Sequence, residues 1–577
     1  MGVPVYERIL QLLEAEGVNT LFGIPDPNFV HMFLAAEKRG WTVVAPHHEA
    51  AAGFMAEAAS RMTGKPAVCI GTLGPGIANA APAIQCALVE HSPIIFLSGQ
   101  RARVTEQRVR RGRIQFVKNM PLFENSVKYA ASIEYADQTD EIIREGIRQA
   151  MGGTPGPVYI EYPSHVITQE LDVPEPLPPA RYRLVNQGAD IDRIAEAAEL
   201  IRAAKNPILL VGHGVHTSRM GAAVKELALL MQCPVIQTSG GTSYIPGLED
   251  RTFQYVFSNA SIEAVTDSDL CLALGTELGE PVHYGRWRYW VKNEAIRKWI
   301  LVEQDASAIG VNRPIDVPLV GDLRGVVPQL VAALKETPRT PAPGLAKFMK
   351  DGQAEIDTLA EESTTKSDGS GDVPIHTSRF VVEATKAFPK DGIMIRDGGA
   401  TVIFQWTYSQ AKPHDVIWNQ NFGHIGTGLP YATGAMLADQ AATGKQRPGM
   451  LLTSDSSFMF HIAELETAAR CKLPLVCVIG VDNQWGLEVG VYKRTFGQGT
   501  EETGTHWSKE VRFDKIGEGF GCHGEYVTRA EEIGPAIARA YASGKVGVVH
   551  VAIDPKANSE EMPKYAEFRT WYAEGTQ

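Results

Sequence analysis

Several things are scarce in this 577-residue chain. Basic residues do not dominate: 55 Lys and Arg stand against 67 Asp and Glu, a net charge of -12. That balance argues against a general phosphate-backbone binder, so no nucleic-acid partner is expected. No apolar run approaches the roughly 18 residues of a membrane-spanning helix, so no membrane role is expected either. The opening MGVPVYERILQLLEAEGV lacks a basic start, an apolar stretch and a small-residue cleavage site. Position 6 is Tyr6, which breaks the myristoylation pattern. The seven cysteines include no CxxC pair, so buried, reduced thiols and a cytoplasmic location are expected.

What is present reads as several α/β domains, because 577 residues exceed what one core can bury. Two proline-rich stretches punctuate the chain: LDVPEPLPPARYRLV at 171–185, and 336–374 with ETPRTPAPG and EESTTKSDGSGDVP. Both read as linkers. They leave blocks at 1–170, 186–335 and 375–555, and a tail at 556–577. In each block short apolar runs alternate with Ala-rich amphipathic segments: PAVCIGTL and PIIFLSG, PILLVGHG and LCLALG, GMLLTSD and LPLVCVIGVD. This predicts three doubly wound parallel-sheet domains, with ligands outside the carboxyl ends of the strands.

Two such ends carry acids. Asp455 follows GMLLTS and Asp482 follows LPLVCVIGV, so both carboxylates are expected at one sheet edge. Hard oxygen ligands with a main-chain carbonyl, assigned to Gln484, suit Mg2+, which commonly shares its octahedron with phosphate oxygens. Ser456 and Ser457 are placed to donate to that phosphate. Plain helix capping is the competing reading of these residues.

This segment, TSDSSF to VDNQWG, resembles the metal-diphosphate motif of thiamine diphosphate enzymes, and the three blocks resemble that family's pyrimidine-binding, central and pyrophosphate-binding domains. The match departs from the family pattern where Ser454 and Ser456 replace glycines and where Val481-Asp482 replaces Asn-Asn. Asn483 is a one-residue-shifted alternative ligand to Asp482. PHHEAAAGFMAEAASRMTGKP resembles the segment bearing the family's catalytic glutamate, here Glu49, and TLGPGIANA supplies Asn79 as a cofactor contact. RDGGATVIFQW and NFGHIGTGLPYATGA resemble the two loops that hold the cofactor. They imply Gly399, Ala400, Thr401, His424 and Ile425 as contacts, together with Trp485 and Gly486. The resemblance further implies thiamine diphosphate and Mg2+ as cofactors, and a homodimer or homotetramer with active sites at subunit interfaces.

Within the family, Glu488 matches the glutamate that decarboxylase-like members place over the thiazolium, and Gln115 is an expected active-site amide. These features, the run HYGRWRYWVKNEAIRKW at 283–299 and the aromatic tail make a 2-hydroxyacyl-CoA lyase the leading expectation. It would release a ketone or aldehyde and formyl-CoA. In that reading the basic, aromatic run clamps ADP or the nucleotide end of CoA in the central domain, the tail closes the site, and an acyl-CoA is the partner substrate. An acetolactate synthase-like 2-oxo acid decarboxylase or carboligase, and a non-catalytic cofactor-bound protein, are the alternatives. The occupant of the central domain (CoA, ADP, FAD or none) and the direction of reaction stay open. By position Asp26, Asn28, His31, His47 and His48 are expected at the substrate entrance.

Overall fold

The computed structural model describes residues 2–337 and 339–570. Three six-stranded sheets dominate it, built from the runs the sequence marks as apolar. The first contains β1 (Thr20–Gly23), β2 (Thr42–Val44), β3 (Ala67–Gly71), β4 (Ile94–Gln100), β5 (Tyr129–Ser132) and β6 (Val158–Pro163), in the order β2-β1-β3-β4-β6-β5. The second contains β7 (Pro207–Val211), β8 (Val235–Gln237), β9 (Thr252–Gln254), β10 (Leu270–Leu274), β11 (Lys298–Glu303) and β12 (Val317–Val320), in the order β9-β8-β7-β10-β11-β12. The third contains β13 (Ile393–Arg396), β14 (Asp415–Ile417), β15 (Gly449–Ser454), β16 (Leu475–Val481), β17 (His523–Val527) and β18 (Gly547–Ala552), in the order β14-β13-β15-β16-β18-β17.

The first and third sheets thus share one topology, and each reverses winding direction between its first and third strands. Those switch points open crevices at the carboxyl edges β1/β3 and β13/β15. Central strands such as β16 are buried along their whole length, which explains why their sequences run apolar without alternation.

Contacts divide the chain into two compact units. One comprises residues 1–185, 417–447 and 461–473; the other comprises 186–416, 448–460 and 474 onward. In the first unit, helix α1 (Glu49–Thr63) is capped by His48, whose side chain accepts from the Ala50 N–H, and it ends at Gly64 with φ 70°. Helix α2 (Pro75–Val89) follows β3.

Two expectations change. Within the stretch read as a linker at 336–374, Leu345–Thr364 forms a 20-residue helix, α3. Prolines cluster only before it, and Leu345, Phe348 and Gly352 are buried, so apolar spacing overrides the composition of the flanks. Part of the run 283–299 is core rather than a nucleotide clamp: His283, Trp290, Arg297 and Trp299 are buried, whereas Arg286, Lys292 and Lys298 stay exposed. Trp290 and Trp299 are fully buried with ring centroids 5.0 Å apart, and Arg297 donates to Ser268 Oγ and to the carbonyls of Trp290 and Val265. Arg313 lies over the Trp299 ring at 3.8 Å. The guanidiniums serve buried carbonyls and aromatic faces, a structural use of the same residue types.

All seven cysteines are free, and burial pushes the Cys69 thiol well up. No described helix is long and apolar enough to cross a membrane.

Candidate active site

The acidic half of the site forms within the second unit. Asp455, at the end of β15, is fully buried, and Asp482, just beyond β16, is 8% exposed. The neighbouring strands bring the two carboxyls close enough to interact. Burial first, and then the Asp482 charge, raises the Asp455 pKa well above the ordinary carboxylate range. Burial likewise raises Asp482 to about 6, against hydrogen bonds from Asn558 and Gln484 that favour its charged form. Two buried acids with no basic partner among the described residues suit a cation, and this donor set fits Mg2+. No cluster of three or more His, Cys, Asp or Glu suited to a metal occurs among the described residues.

The surroundings of the acid pair are ordered. The N–H groups of Ser456 and Asn483 each donate to Asp455 at 2.8 Å. Asn558 Nδ2 donates to Asp482 at 2.8 Å, and Thr377 Oγ1 fixes the other end of the Asn558 amide at 2.9 Å. Gln484 Nε2 bonds Asp482 at 3.3 Å and the Pro555 carbonyl at 2.7 Å. Asn483, the alternative ligand, sits at φ 57° with its amide turned to the Ser508 carbonyl and its own carbonyl held by the Trp507 N–H. Asn558 lies in α7 (Pro555–Glu560), the start of the tail, and no motif announced it. The tail continues as Tyr565–Thr570, where Thr570 Oγ1 meets His283 Nε2 at 3.0 Å; its last seven residues, 571–577, fall outside the described residues.

Facing β15, the loop after β13 leads through Gly398 and Gly399 into helix α4 (Ala400–Tyr408). Gly398 has φ 113°, and a Cβ there would lie 2.6 Å from Thr401 Oγ1 and 2.9 Å from Ser454 Oγ. The buried Thr401 hydroxyl has no hydrogen-bond partner, which marks the cradle as built for something further. Ser454 Oγ bonds Ser456 Oγ at 2.9 Å, and Ser457 is fully buried. Trp485 and Gly486 begin helix α6 (Gly486–Phe496), where a Gly486 Cβ would approach Asp482 Oδ2 to 3.2 Å. Glu488, in the first turn of α6, is exposed.

In the first unit, Glu49 opens α1 and accepts a 3.0 Å hydrogen bond from Asn79 Nδ2. A Cβ at position 76 would come within 3.0 Å of Glu49 Oε1, so Gly76 lets this loop approach the carboxylate closely. Gly74 turns at φ 57° with the Gln115 carbonyl 2.5 Å from where its Cβ would be. Gln115 therefore meets this loop through its backbone, while its exposed residue adopts φ 53°.

His424 and Ile425 lie in a loop that Asn419 shapes, donating to the His424 carbonyl at 2.8 Å and accepting from the His424 N–H at 2.9 Å. Phe54 of α1 packs between His424 and His461, with centroids at 5.0 and 5.7 Å. Each ring bonds a carbonyl through Nδ1: His424 to Ile425 at 2.6 Å and His461 to Gly426 at 2.8 Å. Burial lowers both pKa values, His461 to about 4, so both are neutral at pH 7 with the Nδ1 proton fixed. Sequence reasoning missed His461, because one histidine in an apolar helix entrance carries no spacing signal.

His47 Nε2 pairs with Glu466 at 2.7 Å, Tyr6 stacks on His31 at 5.5 Å and His48 caps α1, so all three histidines of the expected entrance have structural partners. Asn28 is tied to Asp26 at 2.6 Å.

Three family sequence patterns match in register. They are described as the thiamine pyrophosphate enzyme N-terminal TPP binding domain (residues 4–121), central domain (194–330) and C-terminal TPP binding domain (397–551). Relatives align over nearly the full chain. A probable acetolactate synthase large subunit of Methanocaldococcus jannaschii is 27% identical, covering 96% of this chain and 92% of its own. The acetolactate synthase isozyme 2 large subunit of Escherichia coli is 25% identical, covering 95% of each chain. A sulfoacetaldehyde acetyltransferase of Castellaniella defragrans is 26% identical, covering 92% of this chain and 90% of its own. With all three domains matched in order, and with a buried acid pair and a Glu49–Asn79 pair where the motifs place them, the chain belongs to the thiamine pyrophosphate-dependent enzymes.

Proposed function

We propose that the protein is a Mg2+- and thiamine diphosphate-dependent carboligase or acyl transferase that takes a short 2-oxo acid or related carbonyl compound as donor. The observation that carries this reading is the nature of the full-length relatives, whose names all describe making or moving an acetyl unit. The acyl-CoA lyase expectation leaned in part on residues 283–299 as a nucleotide clamp, and Trp290, Arg297 and Trp299 of that run are taken up by a buried Trp–Arg core. Loss of that support leaves the acetolactate synthase-like alternative as the better account.

When bound, thiamine diphosphate supplies an acidic C2–H and a cationic ring that accepts the electron pair left by carbon–carbon cleavage. Asp455, Asp482 and the Gln484 carbonyl would hold Mg2+. The Gly398–Thr401 loop with Ser456 and Ser457 would hold the diphosphate. Glu49, oriented by Asn79, would share a proton with the pyrimidine ring nitrogen. Ile425 would support the cofactor's bend, with the neutral His424 beside it. Glu488 and Gln115 are assigned to the substrate side. Exposure of Asn79 and Glu488 in the single chain supports an assembly of at least two subunits in which a partner covers them.

The test is product analysis with the Mg2+- and cofactor-loaded enzyme. Pyruvate supplied alone should yield carbon dioxide and acetolactate, and Glu49→Gln should abolish turnover while retaining cofactor-dependent thermal stabilisation. Release of formyl-CoA from a 2-hydroxyacyl-CoA, with pyruvate inert, would overturn the assignment.

A further inference from the structure

Away from the acid pair, the second unit holds a partly open cavity of about 40 Å³ bounded by β8, β9, α3, α4 and the end of β13. Its lining is half polar, and among the described residues the polar half is incompletely satisfied. Gln254 Nε2, Gln405 Oε1 and Thr242 Oγ1 are buried there without hydrogen-bond partners. Arg396, the last residue of β13, also lines it and is only 4% exposed. Among the described residues no carboxylate pairs with Arg396. The lining carboxylate, Glu355, is occupied instead by Ser258 Oγ at 2.9 Å and the Asn259 N–H at 2.8 Å.

A guanidinium in this position is costly. Burial lowers the Arg396 pKa only to about 10, so it is charged at neutral pH, and the one charge interaction felt there is with the Tyr244 phenol. An unpaired buried charge destabilises a fold by several kcal/mol, which a chain retains only where something neutralises it. Water alone satisfies the amides but leaves the charge. At roughly 10–15 Å³ per water-sized centre, the cavity takes about three such centres, the oxygen count of a small oxyanion.

We propose that this cavity binds a small oxyanion on Arg396, with Gln254 and Thr242 donating to its remaining oxygens. The occupant neutralises Arg396 and ties the strand leading into the Gly398–Thr401 loop to β9 and to the loop after β8. The site is separate from the acid pair and stands whether or not the proposed reaction is correct.

Holoenzyme saturated with thiamine diphosphate and Mg2+, so that the diphosphate cradle is filled, tests this. In a buffer whose only other anion is gluconate, too large to enter, inorganic phosphate is titrated and the thermal midpoint followed; acetate is titrated in a second arm. The expected result is a saturable rise in wild type that is absent in Arg396→Met. Gln254→Met, which keeps the charge and removes one donor, should weaken half-saturation roughly tenfold, the cost of one hydrogen bond to a charged group. A rise with phosphate alone makes the occupant phosphate, and a rise with acetate makes it a short carboxylate. No saturable rise with either anion, or an equal rise in Arg396→Met and Gln254→Met, overturns the proposal.

Discussion

Replacing Asp482 by Asn should make the metal-free protein more stable and the loaded protein less so. The rise of the Asp482 pKa from its ordinary 3.8 to about 6 is worth about 3 kcal/mol. Because the folded state holds the proton more tightly than the unfolded one, that cost is absent below pH 4, grows as pH climbs through 6 and is complete at pH 8. The amide keeps an acceptor for Asn558 and Gln484 and offers an N–H to Asp455, so the swap removes a charge while keeping the hydrogen bond between the two side chains. Denaturant melts at pH 8 without metal should therefore show Asp482→Asn more stable by up to about 3 kcal/mol, with the gap closing toward pH 4. Adding Mg2+ and thiamine diphosphate should then stabilise wild type strongly and the variant little. A variant that is weaker than wild type without metal, or equally stabilised by the loaded cofactor, would refute the account of these acids as a cation site.

Two further perturbations probe how α1 is held. Gly434→Ala, in helix α5 (Gly428–Thr443), puts a Cβ 2.2 Å from the Met55 carbonyl oxygen and 2.6 Å from its Cα. Backbone cannot swing aside, so a loss of at least about 3 kcal/mol in chemical denaturation is expected, with activity falling as α1 shifts Glu49. Glu57, fully buried in α1 between Tyr431 at 2.8 Å and Arg61 at 3.3 Å, has its pKa raised by burial to about 7. Its folded pKa exceeds the unfolded value, so wild type should lose stability from pH 4.5 to 7 relative to Glu57→Gln, read as diverging thermal midpoints; parallel midpoints would rule this out.

Most of the fold was legible because β3, β4, β15 and β16 are buried on both faces and so run apolar without interruption, a pattern that needs no knowledge of partners. Residues 336–374 and 283–299 were misread for one reason. Composition reports what a residue prefers on average, whereas α3 depends on a few buried apolar positions and the 283–299 core on where arginines find buried carbonyls and rings. For 283–299 that information lies at Val265, Ser268 and Arg313, outside the segment itself.

The site divides along the same line. Asp455 and Asp482 could be found because both follow apolar strands, and Glu49 with Asn79 because the segments PHHEAAAGF and TLGPGIANA resemble family motifs. Asn558 acts on Asp482 from 76 residues away and His461 on the Gly426 carbonyl from 35, and an amide or imidazole held at such a distance leaves no periodic mark. The two serines in place of the family's glycines show the converse. Gly398, opposite them, has no side chain, and that absence makes room for Ser454 Oγ to bond Ser456 Oγ. The space that Gly398 leaves is thus what the serine pair occupies, and Asp455 meanwhile holds two backbone donors, Ser456 N–H and Asn483 N–H.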